Sequence, residues 1–380
     1  MNDNVKVYAS QEWVEEKNKY DLSYRSIDIV APNAEPYGPM IFGDDKFVAI
    51  SSHTNKLIYS TDGVIWNEGF ILSNNDNWDY IAYGNGAYVA IKKDSSIAAY
   101  SNDGINWQEI ELPLSQNWYS ITYGKDKFVA LALGSTQTVY SNDGISWNTG
   151  TLPSNNMWGA CTYGNDKFVA LGNYSYAIHS SDGVYWSQIS LSSSSCWESV
   201  VYGNDRFVAV ATDQAAYSTT GTSWTKVDIE IEGSGSDSFR WMSIAYGNGV
   251  FVAVGYNYSN GPLLTKSIYS YDGITWYEAN LPIGGHWEAV AFGNGRFVAL
   301  SWRGNFDIIY SEDGINWFNQ TDKSIYQNNK DVIDDILNVL NHTNSEYQPI
   351  ITGTPGQFVV IGDDGNVTTK TVHNAEEVEF

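Results

Sequence analysis

The pattern Ser-x-Asp-Gly-x-x-Trp returns about every forty residues, ending at Trp66, Trp107, Trp147, Trp186, Trp224, Trp276 and Trp317. A chain written this way is built from one small unit used again and again, and the period decides the architecture. Other landmarks keep the same period. An aromatic–glycine step falls at Phe42-Gly43, Tyr83-Gly84, Tyr123-Gly124, Tyr163-Gly164, Tyr202-Gly203, Tyr246-Gly247 and Phe292-Gly293. Phe-Val-Ala follows in six repeats, and Tyr88-Val89-Ala90 stands in the other. A second tryptophan column opens six repeats, at Trp78, Trp118, Trp158, Trp197, Trp241 and Trp287, leaving Trp13 and Trp302 outside both columns.

Within a repeat, four short apolar runs alternate with turn signals. In the third they are YSITYG, KFVALAL, TVYS and ISWNTG. Asn-Gly, Asn-Asp, Lys-Asp or Asp-Asp separates the first two, and Asp-Gly the last two, as tight hairpins require. Four antiparallel strands in forty residues make one blade, and radial repetition hides the sheet edges. One blade cannot bury both faces, so neighbours must stack and the ring must close. The expected fold is all-β: a seven-bladed propeller of four-stranded antiparallel blades over residues 37–325. The flanking segments 1–36 and 326–380 are expected to form short helical and hairpin extensions serving attachment or oligomerisation.

The Ser-x-Asp-Gly-x-x-Trp motif resembles the Asp-box, or BNR repeat, of sialidase-like propellers, where it occupies the hairpin between third and fourth strands. Thr220 takes the aspartate's place in the fifth repeat. A short carboxylate beside glycine accepts backbone N–H groups across the turn. Asp62, Asp103, Asp143, Asp182, Asp272 and Asp313 therefore read as structural. The resemblance implies a substrate-binding arginine triad in a sialidase, yet this chain has arginines only at 25, 206, 240, 296 and 303. Arg206 and Arg296 share a hairpin column with Lys46, Lys127 and Lys167, so no triad assembles. Histidines 53, 179, 286, 342 and 373 show no metal-ligand spacing, and Asp363-Asp364-Gly365-Asn366 lacks the closing glutamate of a calcium loop. The expectation is that the protein is not an enzyme and uses no cofactor or metal.

Turns of fixed type lie at one end of each repeat, and lengths vary at the other. The second-to-third turns run from Thr212-Asp213-Gln214 to Gly255–Gly261, and the links between repeats from Leu191–Cys196 to Asp228–Arg240. Variable loops on a rigid scaffold are where binding concentrates. Tyr256, Asn257, Tyr258, Trp302, Arg303, Asn305, Arg240 and His286 are expected to line one rim there. Flat aromatics with amides and guanidinium groups suit a sugar, whose apolar face stacks while its hydroxyls bond.

A net charge of −24 disfavours nucleic acid and anionic membranes as partners. The N-terminal residues lack a signal peptide's basic start and apolar stretch. No run of about 18 apolar residues spans a membrane, and Cys161 and Cys196 suggest no disulfide framework. Ser10–Lys19 reads as a short helix with serine at its N-cap, DVIDDILNVLN as a helix with an apolar stripe, and residues 351–372 as a hairpin. Together these ends resemble segments of phage and prophage tail-fibre proteins. That resemblance implies a non-enzymatic tail receptor-binding protein, homotrimeric, joined to other tail or baseplate proteins and recognising a cell-surface glycan. It would be made in the host cytoplasm and carried on a virion or phage-like particle. A glycan-acting hydrolase of sialidase-like architecture and a protein-docking scaffold are the alternatives.

Overall fold

The computed structural model describes residues 5–7, 37–72, 77–172, 174–230, 239–257, 264–303, 307–319, 351–353, 357–361 and 367–371. The chain divides into two compact bodies, Ile29–Gln320 and the two ends, Met1–Asp28 with Thr321–Phe380. In the second body, Val5–Val7 pairs with Ile351–Gly353, which pairs with Gln357–Ile361, which pairs with Val367–Thr371, all antiparallel. The expected helices and the Asp363–Asn366 turn lie outside the described residues.

The larger body is an all-β propeller. In the first repeat, Tyr37–Gly43, Lys46–Ser51, Lys56–Ser60 and Asn67–Phe70 pair in chain order. The second and fifth repeats form separate four-stranded sheets in the same way. The others depart from the expectation of discrete blades. Asn148–Gly164 runs unbroken from the last strand of the third repeat into the first of the fourth, making one six-stranded sheet. Tyr277–Gly293 likewise fuses the sixth and seventh repeats into a seven-stranded sheet. The links there run through Pro153-Ser154-Asn155-Asn156 and Pro282-Ile283-Gly284-Gly285, which carry turn-type residues, yet the backbone stays extended between sheets. Among the described residues, no sheet of the ring borrows a strand from the other end of the chain.

The second strands show why the repeats need one another. Phe47, Val48 and Ala49 are all wholly buried, although successive side chains point to opposite faces. Val48 packs in a cluster with Trp78 and Tyr88 of the second repeat. Phe47 packs with Val298 and Leu300 of the seventh. The first repeat has no opening tryptophan, and Tyr37 fills that place, six residues before Gly43 and almost wholly buried. Trp78, Trp118, Trp158, Trp241 and Trp287 are fully buried, and truncating such a side chain costs about 3–5 kcal/mol.

Two sets of close contacts run round the ring. A methyl group placed on Gly124 would come 2.0 Å from Cγ of Tyr163, so the glycine is the seat of the next repeat's ring. Gly43 seats Tyr83, Gly84 seats Tyr123, Gly164 seats Tyr202, Gly203 seats Tyr246, Gly247 seats Phe292, and Gly293 seats Phe42, which completes the circuit. Farther out, each box glycine meets the Phe-Val-Ala valine of the preceding repeat. Gly104 lies on Val48, Gly144 on Val89, and Gly63 on Val298 across the seam. These box glycines also hold φ near +70°, where a side chain would be strained.

Box geometry recurs with one exception in the tryptophan bond, Trp276 Nε1 of the sixth repeat being buried without a partner. Ser141 Oγ donates to Asp143 Oδ1 (2.9 Å) and accepts from Gly144 N (2.8 Å). Asp143 Oδ1 also accepts from Ile145 N (2.8 Å) and Ser146 N (2.7 Å), while Trp147 Nε1 donates to Gly144 O (3.0 Å). At Thr220 the two equivalent N–H bonds lengthen to 3.3 Å, as expected of a neutral acceptor. Three members of the Lys and Arg column, Lys127, Arg206 and Arg296, reach the next box. Arg296 Nη1 donates to Asp62 O at 2.6 Å, and its side chain is only 13% exposed.

Gly293→Ala should destabilise the ring as severely as Gly124→Ala, because both drive a methyl into an aromatic ring of the next repeat. Thermal unfolding of the two variants checks this; a mild Gly293→Ala would show that the seam is looser than the other interfaces. The Asp143 carboxyl is held down to about 2, by the N–H of Ser146 first, with Ile145 and Ser141 adding and burial opposing. Its folded-state value is depressed, so its contribution is complete above the ordinary 3.8 and is lost as pH falls through about 2. Asp143→Asn should lower the melting temperature at pH 7 and flatten its pH dependence in that window, as followed by circular dichroism.

Candidate functional site

Links between repeats and second-to-third turns meet at one end of the ring. Asp213 N donates to Phe239 O (2.9 Å), and Phe239 N returns to Asp213 Oδ1 (2.7 Å), tying a turn to the following link. Arg240 pairs with Tyr256 across the first two strands of the sixth repeat. Its Nε and Nη2 both reach Oε1 of Glu198, at 2.8 and 2.7 Å, and its Nη1 donates to the Tyr256 hydroxyl at 3.2 Å. The Tyr256 ring then stacks on His286 of the seventh repeat, centroids 4.9 Å apart and 14° from parallel. Four side chains from three consecutive repeats thus form one continuous wall.

Burial raises the Glu198 carboxyl above its usual range despite the attraction of Arg240. Arg240 is raised in turn, as Glu198 and Tyr256 outweigh the burial that lowers it. An arginine held at three points by a carboxylate and a phenol keeps its plane, which suits a fixed hydrogen-bonding fork.

A second cluster stands on the second and third repeats. Asp79 is buried; its Oδ2 accepts from Lys93 N (2.8 Å), and its Oδ1 lies 3.4 Å from Lys93 Nζ. That ammonium lies 5.5 Å from the Tyr80 ring and 5.2 Å from the Tyr119 ring. Burial pushes the Tyr80 phenol far above 10, and Tyr119, Asp79 and Glu198 each add to the shift. Lys93 lies in a second-to-third turn, and Asp79 and Tyr119 follow opening tryptophans, so this cluster belongs to the same end of the ring, its mouth.

Of the expected rim, Arg240, Tyr256 and His286 come together. Trp302 stands on the strand paired with that of His286, with its ring 6.1 Å from the ring of His53 in the first repeat. Asn257 is buried and pairs with Phe239, so it does not present itself at the surface. Arg303 is described only by its backbone pairing with His286, and Tyr258 and Asn305 lie outside the described residues. Glu198, His53, Asp79, Lys93, Tyr80 and Tyr119 were not singled out from the sequence. A signal existed: the residues after the opening tryptophans read Asp79, Tyr119, Gly159, Glu198, Met242 and Glu288. That column varies within an otherwise regular pattern. Among the described residues, no three His, Cys, Asp or Glu side chains are grouped to hold a metal ion. No helix there is long and apolar enough to cross a membrane.

No family model and no curated protein matches the chain. Solved structures share its fold. A streptogramin B lyase is 14% identical with a TM-score of 0.60, over 74% of this chain and 91% of that one. A catalytically inactive virginiamycin B lyase from Staphylococcus aureus with quinupristin is 12% identical with a TM-score of 0.62, over 81% and 98%. YCF48 bound to D1 peptide is 14% identical with a TM-score of 0.55, over 72% and 91%. At these identities the likeness establishes the propeller and nothing finer. It does correct one expectation. Rings of this architecture include lyases, so the chain cannot be set down as not an enzyme; arginine scarcity argued only against a sialidase triad.

The displaced Tyr80 phenol gives this end of the ring a spectroscopic mark. In an ultraviolet titration, Tyr80→Phe should leave the amplitude of phenol ionisation around pH 10 unchanged, since Tyr80 stays protonated there. A loss of one tyrosine's amplitude would mean the phenol is solvated and the mouth more open than described.

Proposed function

We propose that the chain is a seven-bladed surface-recognition propeller that binds glycan at the variable-turn end. The observation that carries the reading is the Glu198–Arg240–Tyr256–His286 wall. It offers a ring for stacking against a sugar and a guanidinium fixed for hydroxyls or a carboxylate. Trp302, Arg303, Tyr258 and Asn305 border it in sequence and complete the proposed rim. The blade count is supported by seven glycine–aromatic contacts that return to the first repeat.

In the same reading the box motif is that of Asp-box propellers, with its six aspartates structural. The chain ends attach the ring to a phage-like tail and gather three copies, which would turn weak sugar contacts into useful avidity. Support for this comes from the terminal sequences alone.

The test is a glycan array probed with the full chain and with Tyr256→Ala and Arg240→Ala, folding being checked by circular dichroism. Each variant should lose most of the signal, by ten-fold or more. Binding that survives both substitutions overturns the site. Mass photometry of the same preparations should read three copies, and a monomer would remove the tail-stalk from the proposal.

A further inference from the structure

The repeats act as internal controls for one another. The residue opening the second strand is Lys46, Ala87, Lys127, Lys167, Arg206, Val250 and Arg296 in chain order. In three repeats it does the same thing. Lys127 Nζ rests 4.9 Å from the Tyr140 ring and donates to Asp182 O at 2.8 Å. The Arg206 guanidinium rests 5.7 Å from Tyr217 and donates to Asp272 O at 2.6 Å. Arg296 rests 5.0 Å from Tyr310 and donates to Asp62 O at 2.6 Å. A cation on the third-strand tyrosine is tied to the box carbonyl of the next repeat.

The sixth repeat keeps the tyrosine, Tyr269, and is followed by the box of Asp313, but Val250 replaces the cation. Val250 is buried in the apolar cluster against which Tyr269 packs. It supplies the stem of the missing side chain without its head group. The seventh repeat is the direct template. Tyr310 pairs with Phe318 across the strands, rings 5.6 Å apart and 30° from parallel. Tyr269 pairs with Tyr277 with rings 5.4 Å apart at the same 30°. The aromatic arrangement is retained, and only the charge is gone.

Two more departures cluster here. The second box residue is Thr61, Asn102, Asn142, Ser181, Thr219 or Glu312 elsewhere, and Tyr271 in the sixth repeat. The fourth strand opens with Asn67, Gln108, Asn148, Ser187, Thr225 or Phe318 elsewhere, and with Tyr277 here. Tyr271 is 53% exposed and Tyr277 47%, and Tyr271 stands edge-on to Tyr269 at 5.8 Å. Losing the cation does not by itself build this feature. In the second repeat, with Ala87, Tyr100 is buried and bonded to Asn102 at 2.5 Å.

We propose that the outer edge of the sixth repeat binds the guanidinium of an arginine side chain on a partner protein, laid over Tyr269 and flanked by Tyr271 and Tyr277. Asp313 O, the counterpart of Asp62 O, accepts its hydrogen bond. Guanidinium stacks on tyrosine faces and favours planar, multiply bonded sites. A chain of net charge −24 draws cationic partners toward it. Burial raises the Tyr269 phenol first, with Tyr271, Tyr277 and Asp313 adding. This site lies on the box hairpins and does not depend on the glycan reading.

The test titrates the full chain, with ring-labelled tyrosine, against N-acetyl-arginine amide and against its neutral isostere N-acetyl-citrulline amide. Tyrosine ring resonances are followed by NMR. Saturable shifts with the arginine probe, at least ten-fold weaker with the citrulline probe, are expected. Val250→Arg, which restores the head group in cis, should abolish them. Should that variant fold poorly, Tyr271→Thr with Tyr277→Asn, the residues of the first repeat, should weaken them at least ten-fold. Equal response to the two probes, or saturable shifts surviving both variants, overturns the proposal.

Discussion

A ring of sheets is sound only if its last member fits its first as closely as any other pair. Here that fit is made by a bare glycine backbone and the ring of the following repeat, approaching until no side-chain atom can come between. The contact from Gly293 to Phe42 has the same form as the contact from Gly124 to Tyr163. Everything else is arranged around that approach. The tryptophan and Phe-Val-Ala columns fill the space between sheets that it sets, and the box hairpins pin the outer edges.

The boxes show how a charged residue makes a turn reproducible. One carboxylate oxygen takes two backbone N–H groups and a serine hydroxyl, while the serine takes a third N–H. The glycine between them adopts the left-handed conformation and turns its Cα toward the valine of the preceding repeat. Local hydrogen bonding and inter-repeat packing therefore select the same sequence, Ser-x-Asp-Gly. Cations opening the second strands then bind box carbonyls from the neighbouring side.

Much of this was legible in the sequence because periodic packing leaves periodic letters. The four-run repeat, the hairpin at Asp-Gly and the propeller follow from spacing alone. The fused sheets did not, since whether a link stays extended depends on the distance between two blades, which no residue type reports. Tyr37 does not stand out as the seventh member of the opening column because the other six are tryptophan, whereas the place demands only a large aromatic. At the mouth, Arg240, Tyr256 and His286 were legible as unusual residues in long loops. Glu198 and Lys93 were not: their importance comes from partners far along the chain, which only folding brings near. Asn257 was misjudged for the opposite reason, a loop position turned inward by strand pairing with Phe239.

The absence of strand exchange at the seam, among the described residues, has its own consequence. In its glycine–aromatic and glycine–valine contacts the junction between seventh and first repeats copies the others, although no chain links it, whereas unbroken strands carry the third repeat into the fourth and the sixth into the seventh. A gene circularly permuted to begin at a link between separate sheets should encode the same closed ring.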